Sequence, residues 1–205
     1  MINTRPKAIV FDLGKVLVDF DYSIAARKIA ARCSFPLDNL SRFLSQSPLL
    51  FRYETGLIGR RQFYDEICRE TGFGGEFDEF GSFFADIFTP IPEMVELHAR
   101  LRQAGFPSYI FSNTNDLAIS HIRGNFPFFS NFDGYILSYE HGSMKPDVRL
   151  YEVVEDQTGS RGPEILYLDD RPENIATGNA RGWQVILQEN PAQTLAAFRE
   201  SGLLK

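Results

Sequence analysis

The sequence predicts an α/β fold: a parallel sheet with helices on both faces, interrupted after its first strand by a helical insert. Three observations carry this. Short apolar runs without polar alternation recur along the chain, as strands covered on both faces require. From about residue 91 onward these runs alternate with helical stretches, the pattern of a parallel sheet joined by crossover helices. Between roughly 20 and 89 the alternation stops and the apolar spacing is helical.

The elements follow in order. Ala8-Ile9-Val10-Phe11 reads as a buried strand ending in a polar turn at Asp12 and Gly14. In the insert, Ile24-Ala25 with Ile29-Ala30, Leu40 with Phe43-Leu44, and Phe63 with Ile67 fall at helical spacing. Eleven of the nineteen phenylalanines lie there, from Phe20 to Phe88, and read as the core of a helical bundle rather than a cofactor box. Pro92 opens a helix with Met94, Leu97 and Leu101 on one face, and Gly105 and Pro107 stop it. Further strands are predicted at Tyr109-Ile110-Phe111, Tyr135-Ile136-Leu137, Ile165-Leu166-Tyr167-Leu168 and Val185-Ile186-Leu187. Helices are expected at about 147–158, 172–180 and 192–200. The expected organisation is an α/β domain of residues 1–19 and 90–205, with residues 20–89 as a helical domain inserted after its first strand.

Composition narrows the function. A chain of 205 residues buries a core without staples. With 21 Lys and Arg against 27 Asp and Glu, its net charge of −6 lacks the basic footprint of a nucleic-acid binder. An anionic substrate therefore needs a local positive site. Cys33 and Cys68 lie far apart, with no CxxC pair, which argues against a zinc site or a disulfide framework. The lead-in to the first strand is too short for a signal peptide or a membrane span, so the expected compartment is the cytoplasm. The chain has no GxxxxGK[ST] loop and no GxGxxG fingerprint, which argues against nucleotide kinases and dinucleotide enzymes.

In open parallel sheets, functional groups gather beyond the carboxyl ends of the strands. Those ends carry Asp12, then Ser112-Asn113-Thr114-Asn115, then a loop reaching Lys145-Pro146, then Asp169-Asp170. Each has a plainer reading alone: Asp170 and Ser112 as helix caps, Lys145 as a solvated surface charge. Together, each at a strand end, they describe one crevice holding three carboxylates, a hydroxyl and a lysine. Crowded carboxylates repel, and a hard divalent cation with oxygen ligands resolves the repulsion. Such a cation binds phosphate oxygens while one carboxylate attacks phosphorus, splitting a hard hydrolysis into two easier steps. The lysine, the hydroxyl and backbone N–H groups would hold the remaining phosphoryl oxygens.

Four segments carry a resemblance: Ile9-Val10-Phe11-Asp12-Leu13-Gly14-Lys15-Val16, Phe111-Ser112-Asn113, Lys145-Pro146-Asp147-Val148-Arg149-Leu150-Tyr151, and Leu168-Asp169-Asp170-Arg171-Pro172-Glu173-Asn174. In this order they resemble the four motifs of the haloacid dehalogenase superfamily, and the helical insert matches that family's cap position. The resemblance implies a Rossmann-like core with a small α-helical cap and a magnesium-dependent phosphatase acting on a small phosphate ester. It implies Asp12 as nucleophile and metal ligand, with the Gly14 carbonyl and Asp170 completing the protein's share of the Mg2+ sphere. Asp169 would be an outer-shell or alternative ligand. Ser112 and the Asn113 N–H would bind the phosphoryl group, Lys145 would neutralise it and Asp12, and Asn174 would orient the acidic pair.

Most phosphatases of this family place a second Asp two residues after the nucleophile, as general acid and base; here that position is Gly14. The same substitution, with Glu54-x-Gly56-x-Ile58 and Ser112-Asn113-Thr114-Asn115, is similar to a bacterial branch typified by α-D-glucose-1-phosphate phosphatase. That makes sugar phosphates, a hexose 1-phosphate among them, the leading substrate class. Lacking an acid, such a site would favour acidic leaving groups, 1-phosphates over 6-phosphates and aryl over alkyl esters, with Glu173 or a cap residue as the alternative source of the proton. Arg52, Tyr53 and Glu54 are candidates for substrate contact from the cap, with a plain surface cluster as the alternative. Two rivals stand beside the phosphatase reading. A metal-independent 2-haloacid dehalogenase also lacks the second Asp, but the pair Asp169-Asp170 argues against it. A non-catalytic phosphate or sugar-phosphate binder would read Gly14 as decay.

Overall fold

The structure, a computed structural model, describes Ile2 and residues 4–204, leaving out the side chain of Asp38. Strand β1 (Ala8–Phe11) runs into a short ribbon strand β2 (Val18–Phe20). Five helices follow: α1 (Tyr22–Ala30), α2 (Leu37–Gln46), α3 (Pro48–Glu54), α4 (Arg60–Thr71) and α5 (Phe77–Ala85). The chain returns through β3 (Phe88–Pro90) to α6 (Pro92–Gln103), β4 (Ser108–Ser112), α7 (Asp116–Asn125) and β5 (Gly134–Leu137). It then forms α8 (Ser138–His141), α9 (Val148–Thr158), β6 (Ile165–Asp169), α10 (Pro172–Ala180), β7 (Gln184–Leu187) and α11 (Pro191–Glu200).

The main sheet has five strands in the order β5-β4-β1-β6-β7, all parallel. With β1 central, the chain winds outward first through β4 and β5, then through β6 and β7. The strand order therefore reverses between β1 and β6, and side chains at their carboxyl ends face a common crevice. Period-2 alternation sends Ile9, Phe11, Leu166 and Leu168 to one face, against Met94, Leu97, Ile122 and Phe198. Val10, Ile165 and Tyr167 go to the other, against Tyr151, Val154 and Trp183. Both faces are buried, which is why none of these strands alternates apolar with polar.

The insert has a core of its own. Ala25, Ile29, Leu40, Leu44, Tyr53, Phe63, Ile67, Phe80 and Phe84 close on one another beneath α1–α5, and the Tyr53 and Phe63 rings stack at 4.4 Å. The aromatic-rich stretch is a bundle core, as its spacing indicated. At the two junctions of insert and sheet layer, β2 and β3 pair antiparallel, Val18 with Pro90 and Phe20 with Phe88. No local signal announces this ribbon: three residues are too few for a period, and Pro90 disguises a strand end.

Candidate active site

The crevice beyond β1 and β6 opens into a cleft of about 380 Å³, lined by Asp12, Gly14, Asn113, Lys145, Asp170 and Asn174 from the sheet layer. Phe20, Tyr22, Ser45, Leu50 and Glu54 close it from the ribbon and insert. Its volume lies in the range of small-molecule sites.

Lys145 is the centre of the charge arrangement. Its side chain is 1% exposed, and Nζ lies 3.0 Å from Asp12 Oδ1 and 2.6 Å from Asp169 Oδ2. The ammonium also donates to the Phe111 carbonyl at 2.9 Å. Burial alone would make Lys145 easier to deprotonate, but Asp12 and Asp169 outweigh it and hold the lysine charged. Its loop is secured by two reciprocal bonds: Lys145 N–H donates to Asn113 Oδ1 at 2.7 Å, and Asn113 Nδ2 donates to the Lys145 carbonyl at 3.0 Å. The Lys145–Pro146 peptide bond is cis.

The carboxylates differ in their partners. Asp169, fully buried, is saturated. Its Oδ1 accepts from Asn174 Nδ2 at 3.0 Å and Arg171 N–H at 2.8 Å, while Oδ2 accepts from Lys145 and the Tyr167 hydroxyl. Burial pushes its carboxyl upward, but Lys145 and the hydrogen bonds outweigh this and hold it ionised. Asp12 is pushed up to about 8, chiefly by burial and further by Asp169 and Asp170, against the pull of Lys145. Both hydrogen bonds that Asp12 accepts, from Lys145 and from the Leu13 N–H at 2.7 Å, go to Oδ1. Asp170 is also raised, by burial and then by Asp169.

Asp12, Asp169 and Asp170 present carboxylate oxygens that all lie within 4.8 Å of one another. With all three carboxylates ionised against one ammonium, two negative charges would be uncompensated, and that mutual repulsion is part of what raises Asp12 and Asp170. An all-oxygen donor set with that deficit fits a hard divalent cation, and Mg2+ is such an ion. With Asp169 saturated by protein partners, Asp12 and Asp170 are the donors left for it, beside Gly14 on the cleft wall.

The sequence-derived residues thus converge, with two exceptions, Arg52 and Tyr53, and two changes of detail. Ser112 is buried at the end of β4 and lines a smaller adjoining cavity with Gly14, Asn113 and Glu54. It is not the cap of α7, since Asn115 fills that role by accepting from Ala118 N–H at 3.0 Å. The turn into α10 likewise uses Asp169 rather than Asp170. Arg52 is the first exception. On α3, Leu50 and Glu54 are spaced i, i+4 and share the face toward the cleft, so Arg52, midway between them, projects to the opposite side. There it forms a two-pronged ion pair with Glu66 at 2.9 and 3.1 Å, and it does not line the cleft. Tyr53 turns into the insert core, its hydroxyl bonded to Asp116 of α7. Of the three cap candidates, Glu54 alone reaches the cleft. Its carboxyl is raised to about 7 by burial.

Phe20 is a functional neighbour that the sequence does not reveal. A Cβ built on Gly14 would lie 2.8 Å from Phe20 Cε1, so the ring fills the space a side chain at position 14 would need. No sequence signal announces that contact, because it depends on the ribbon.

The fold and the site define a hydrolase in which a carboxylate cluster sits beside a buried lysine at a topological switch point. The family model for haloacid dehalogenase-like hydrolases matches residues 6–182, and the chain belongs to that family. Among curated relatives, it is 25% identical to the sesquiterpene phosphatase astK of Aspergillus oryzae, covering 87% of this chain and 88% of that protein. It is 25% identical to a D-ribitol-5-phosphate phosphatase of Bacteroides thetaiotaomicron, covering 91% and 93%. It is also 25% identical to an (S)-2-haloacid dehalogenase of Pseudomonas fluorescens, covering 86% and 81%. In fold it resembles a haloacid dehalogenase family enzyme of B. thetaiotaomicron, bt-2542, solved with magnesium and inorganic phosphate. The TM-score is 0.81 at 22% identity, over 92% of this chain and 98% of that one.

Proposed function

We propose that this protein is a magnesium-dependent phosphatase that hydrolyses small phosphate monoesters through an aspartyl phosphate on Asp12. The observation that carries this reading is the division of labour among the carboxylates. Asp169 is saturated and holds Lys145, while Asp12 and Asp170 remain available within one small cleft. A metal-free dehalogenase has no use for the uncompensated charge of Asp170, so the acidic pair favours the phosphatase over that rival.

In this reading Asp12 Oδ1 is held by Lys145 and the Leu13 N–H, which orients the carboxylate toward phosphorus. Lys145 neutralises Asp12 and the incoming phosphoryl group, which Ser112 and the Asn113 N–H bind. Asn174 fixes Asp169 and, through it, the lysine. Asp12, the Gly14 carbonyl and Asp170 would hold Mg2+. When bound, the ion supplies positive charge to phosphoryl oxygens and lowers the repulsion between an anionic ester and an anionic nucleophile. The residues from about 20 to 89 act as the cap that selects the leaving group, through Tyr22, Ser45 and Leu50. Sugar or sugar-alcohol phosphates, a hexose 1-phosphate among them, are the proposed substrates, and the D-ribitol-5-phosphate phosphatase relative supports that class. The proposed compartment is the cytoplasm, in keeping with two cysteines that form no disulfide. Among the described residues no helix is long and apolar enough to cross a membrane.

The test is Asp12→Asn. The variant should fold, bind substrate, and lose at least about three orders of magnitude in rate. Turnover of the wild type in labelled water should place the label in the released phosphate and none in the Asp12 carboxylate, because water bonds to phosphorus; label in Asp12 would mean attack at its carboxyl carbon instead. Substantial activity in Asp12→Asn would remove the covalent mechanism.

A further inference from the structure

Gly14 leaves the proposed reaction without its usual proton donor, and the ring of Phe20 occupies the space where one would stand. A replacement must therefore come from elsewhere on the cleft wall. Glu173, close by in sequence, does not line the cleft; it is exposed and paired with Arg171. Asp12 and Asp170 are committed to phosphorus and cation. Glu54 is the carboxyl that remains. It lines both the main cleft and the adjoining cavity, in each case with Gly14, Phe20, Tyr22 and Asn113.

Its position is fixed by more than its own helix. The Glu54 carbonyl accepts from Ser138 Oγ at 2.6 Å, and the same hydroxyl accepts from Thr114 N–H at 2.9 Å, two residues beyond Ser112. Gly56 has φ +70°, and a Cβ there would lie 2.1 Å from the Tyr139 carbonyl oxygen, so glycine alone lets the chain pass this close to α8. On the same side Tyr53 and Arg60 both bond Asp116 of α7, Arg60 at 2.6 Å. The Glu54-x-Gly56 motif is thus the segment by which the insert is fastened to the sheet layer, and the fastening holds Glu54 over the catalytic end of β1.

We propose that Glu54 is the group that gives and takes the proton in this reaction, supplied by the cap in place of the acid absent at Gly14. The inference rests on the phosphatase reading. In the first step an Asp12 oxygen bonds to phosphorus. The ester P–O bond breaks with its electron pair going to the leaving oxygen, and Glu54 passes its proton to that oxygen. In the second step the Glu54 carboxylate takes a proton from water as the water oxygen bonds to phosphorus. The bond to Asp12 then breaks and returns its electrons to the carboxylate. Ester and water have become alcohol and phosphate, and Glu54 is protonated again. The carboxyl stands at about 7 because burial disfavours its charged form, so both forms are populated near neutral pH. The groups lining the cleft around it are Tyr22 from α1, Lys15 and Asp12 after β1, Lys145 before α9, and Asp170 and Arg171 after β6.

This reverses one expectation drawn from Gly14 alone. With Glu54 in place, wild type should depend only weakly on leaving-group acidity, and the preference for 1-phosphates and aryl esters should be shallow. The experiment is a series of magnesium-supported phosphate monoesters of graded leaving-group acidity, from alkyl to p-nitrophenyl, run on wild type, Glu54→Gln, Glu54→Asp and, as a control on the same helix outside the cleft, Arg52→Ala. In Glu54→Gln, kcat/KM on alkyl esters should fall about 10²–10⁴-fold, with much less loss in the phosphorylation step of the aryl ester. The decline of wild-type alkyl turnover as pH rises through about 7 should disappear with it. Glu54→Asp should restore part of the alkyl rate and the pH limb, and Arg52→Ala should keep both. Equal loss on all esters, or unchanged alkyl turnover in a folded Glu54→Gln, would overturn the inference while leaving the phosphatase standing. Wild type inactive on every ester would overturn both.

Discussion

The contact between Gly14 and Phe20 can be measured. Gly14 has no left-handed φ, so its backbone accepts an L side chain and only the ring stands in the way. A Cβ at 2.8 Å from Cε1 is closer than carbon atoms approach, and the ring cannot easily yield. It packs edge-on to Tyr22 at 5.8 Å, lies 6.1 Å from Phe88, and has Lys15 Nζ 4.7 Å from its centroid. Gly14→Ala should therefore carry an overpacking cost of about 1–3 kcal/mol. The unfolded chain loses freedom in the same substitution, offsetting about 0.4–1 kcal/mol of it. In a Phe20→Ala background the steric cost vanishes while the entropic gain remains, so the entropic part cancels from a double-mutant cycle. The coupling energy should be about 1–3 kcal/mol, with the double variant more stable than the sum of the singles predicts. Urea unfolding of the four proteins, followed by two probes, measures it. Additivity within about 0.5 kcal/mol would refute the argument that Phe20 bars position 14. The same geometry bears on activity. Gly14→Asp should rescue alkyl-ester turnover in Glu54→Gln only when Phe20 is also reduced to Ala.

Three further outcomes are expected. Asp170→Ala should weaken Mg2+ activation and turnover together, Ca2+ should inhibit wild type through its larger and more flexible shell, and full activity in excess chelator would remove the metal site. Arg52→Ala should leave discrimination among sugar phosphates unchanged within about twofold, because its partner Glu66 lies away from the cleft, whereas enlarging Leu50 should shift it; the ratio of kcat/KM for two sugars decides. His98, stacked on Phe132 at 3.9 Å, is lowered to about 4 by burial and by Arg102. The unfolded state takes up a proton near pH 6.5 that the folded state resists, so stability should fall between about pH 6.5 and 4, by up to roughly 1.4 kcal/mol per unit. An unaltered acid slope in His98→Gln would assign that slope to another group.

The parallel core was legible because its signal is local. Strands buried on both faces are continuous apolar runs, and the strand ends name their functional side chains. The candidate cluster could be read for the same reason: Asp12, Ser112, Asp169 and Asp170 each sit within one residue of a strand end. Legibility failed where a side chain's role depends on contacts between distant segments. Arg52, Tyr53 and Glu54 are neighbours in sequence and were grouped together, yet three successive positions on a helix point in three directions, and only Glu54 faces the cleft. Helical phase could have separated them, with Leu50 and Glu54 as the i, i+4 pair. Phe20 could not have been found, because its place beside Gly14 follows from a ribbon of three residues per strand.

The paired bonds between Asn113 and Lys145 bear on how a lysine in a loop acquires the positional accuracy of a strand residue. A carboxamide has the same donor and acceptor as a peptide unit, and here it meets the main chain of Lys145 through both. In effect β4 gains one more rung, built from a side chain, and the loop 32 positions further along behaves as a sheet neighbour one residue long. Aspartate in that place would keep the shape but lose the donor, and glutamine would keep both groups but on a stem one methylene too long, so either exchange disrupts the rung. Position 113 is therefore subject to two demands at once: its N–H is the proposed donor to the phosphoryl group, and its side chain serves as counterfeit backbone.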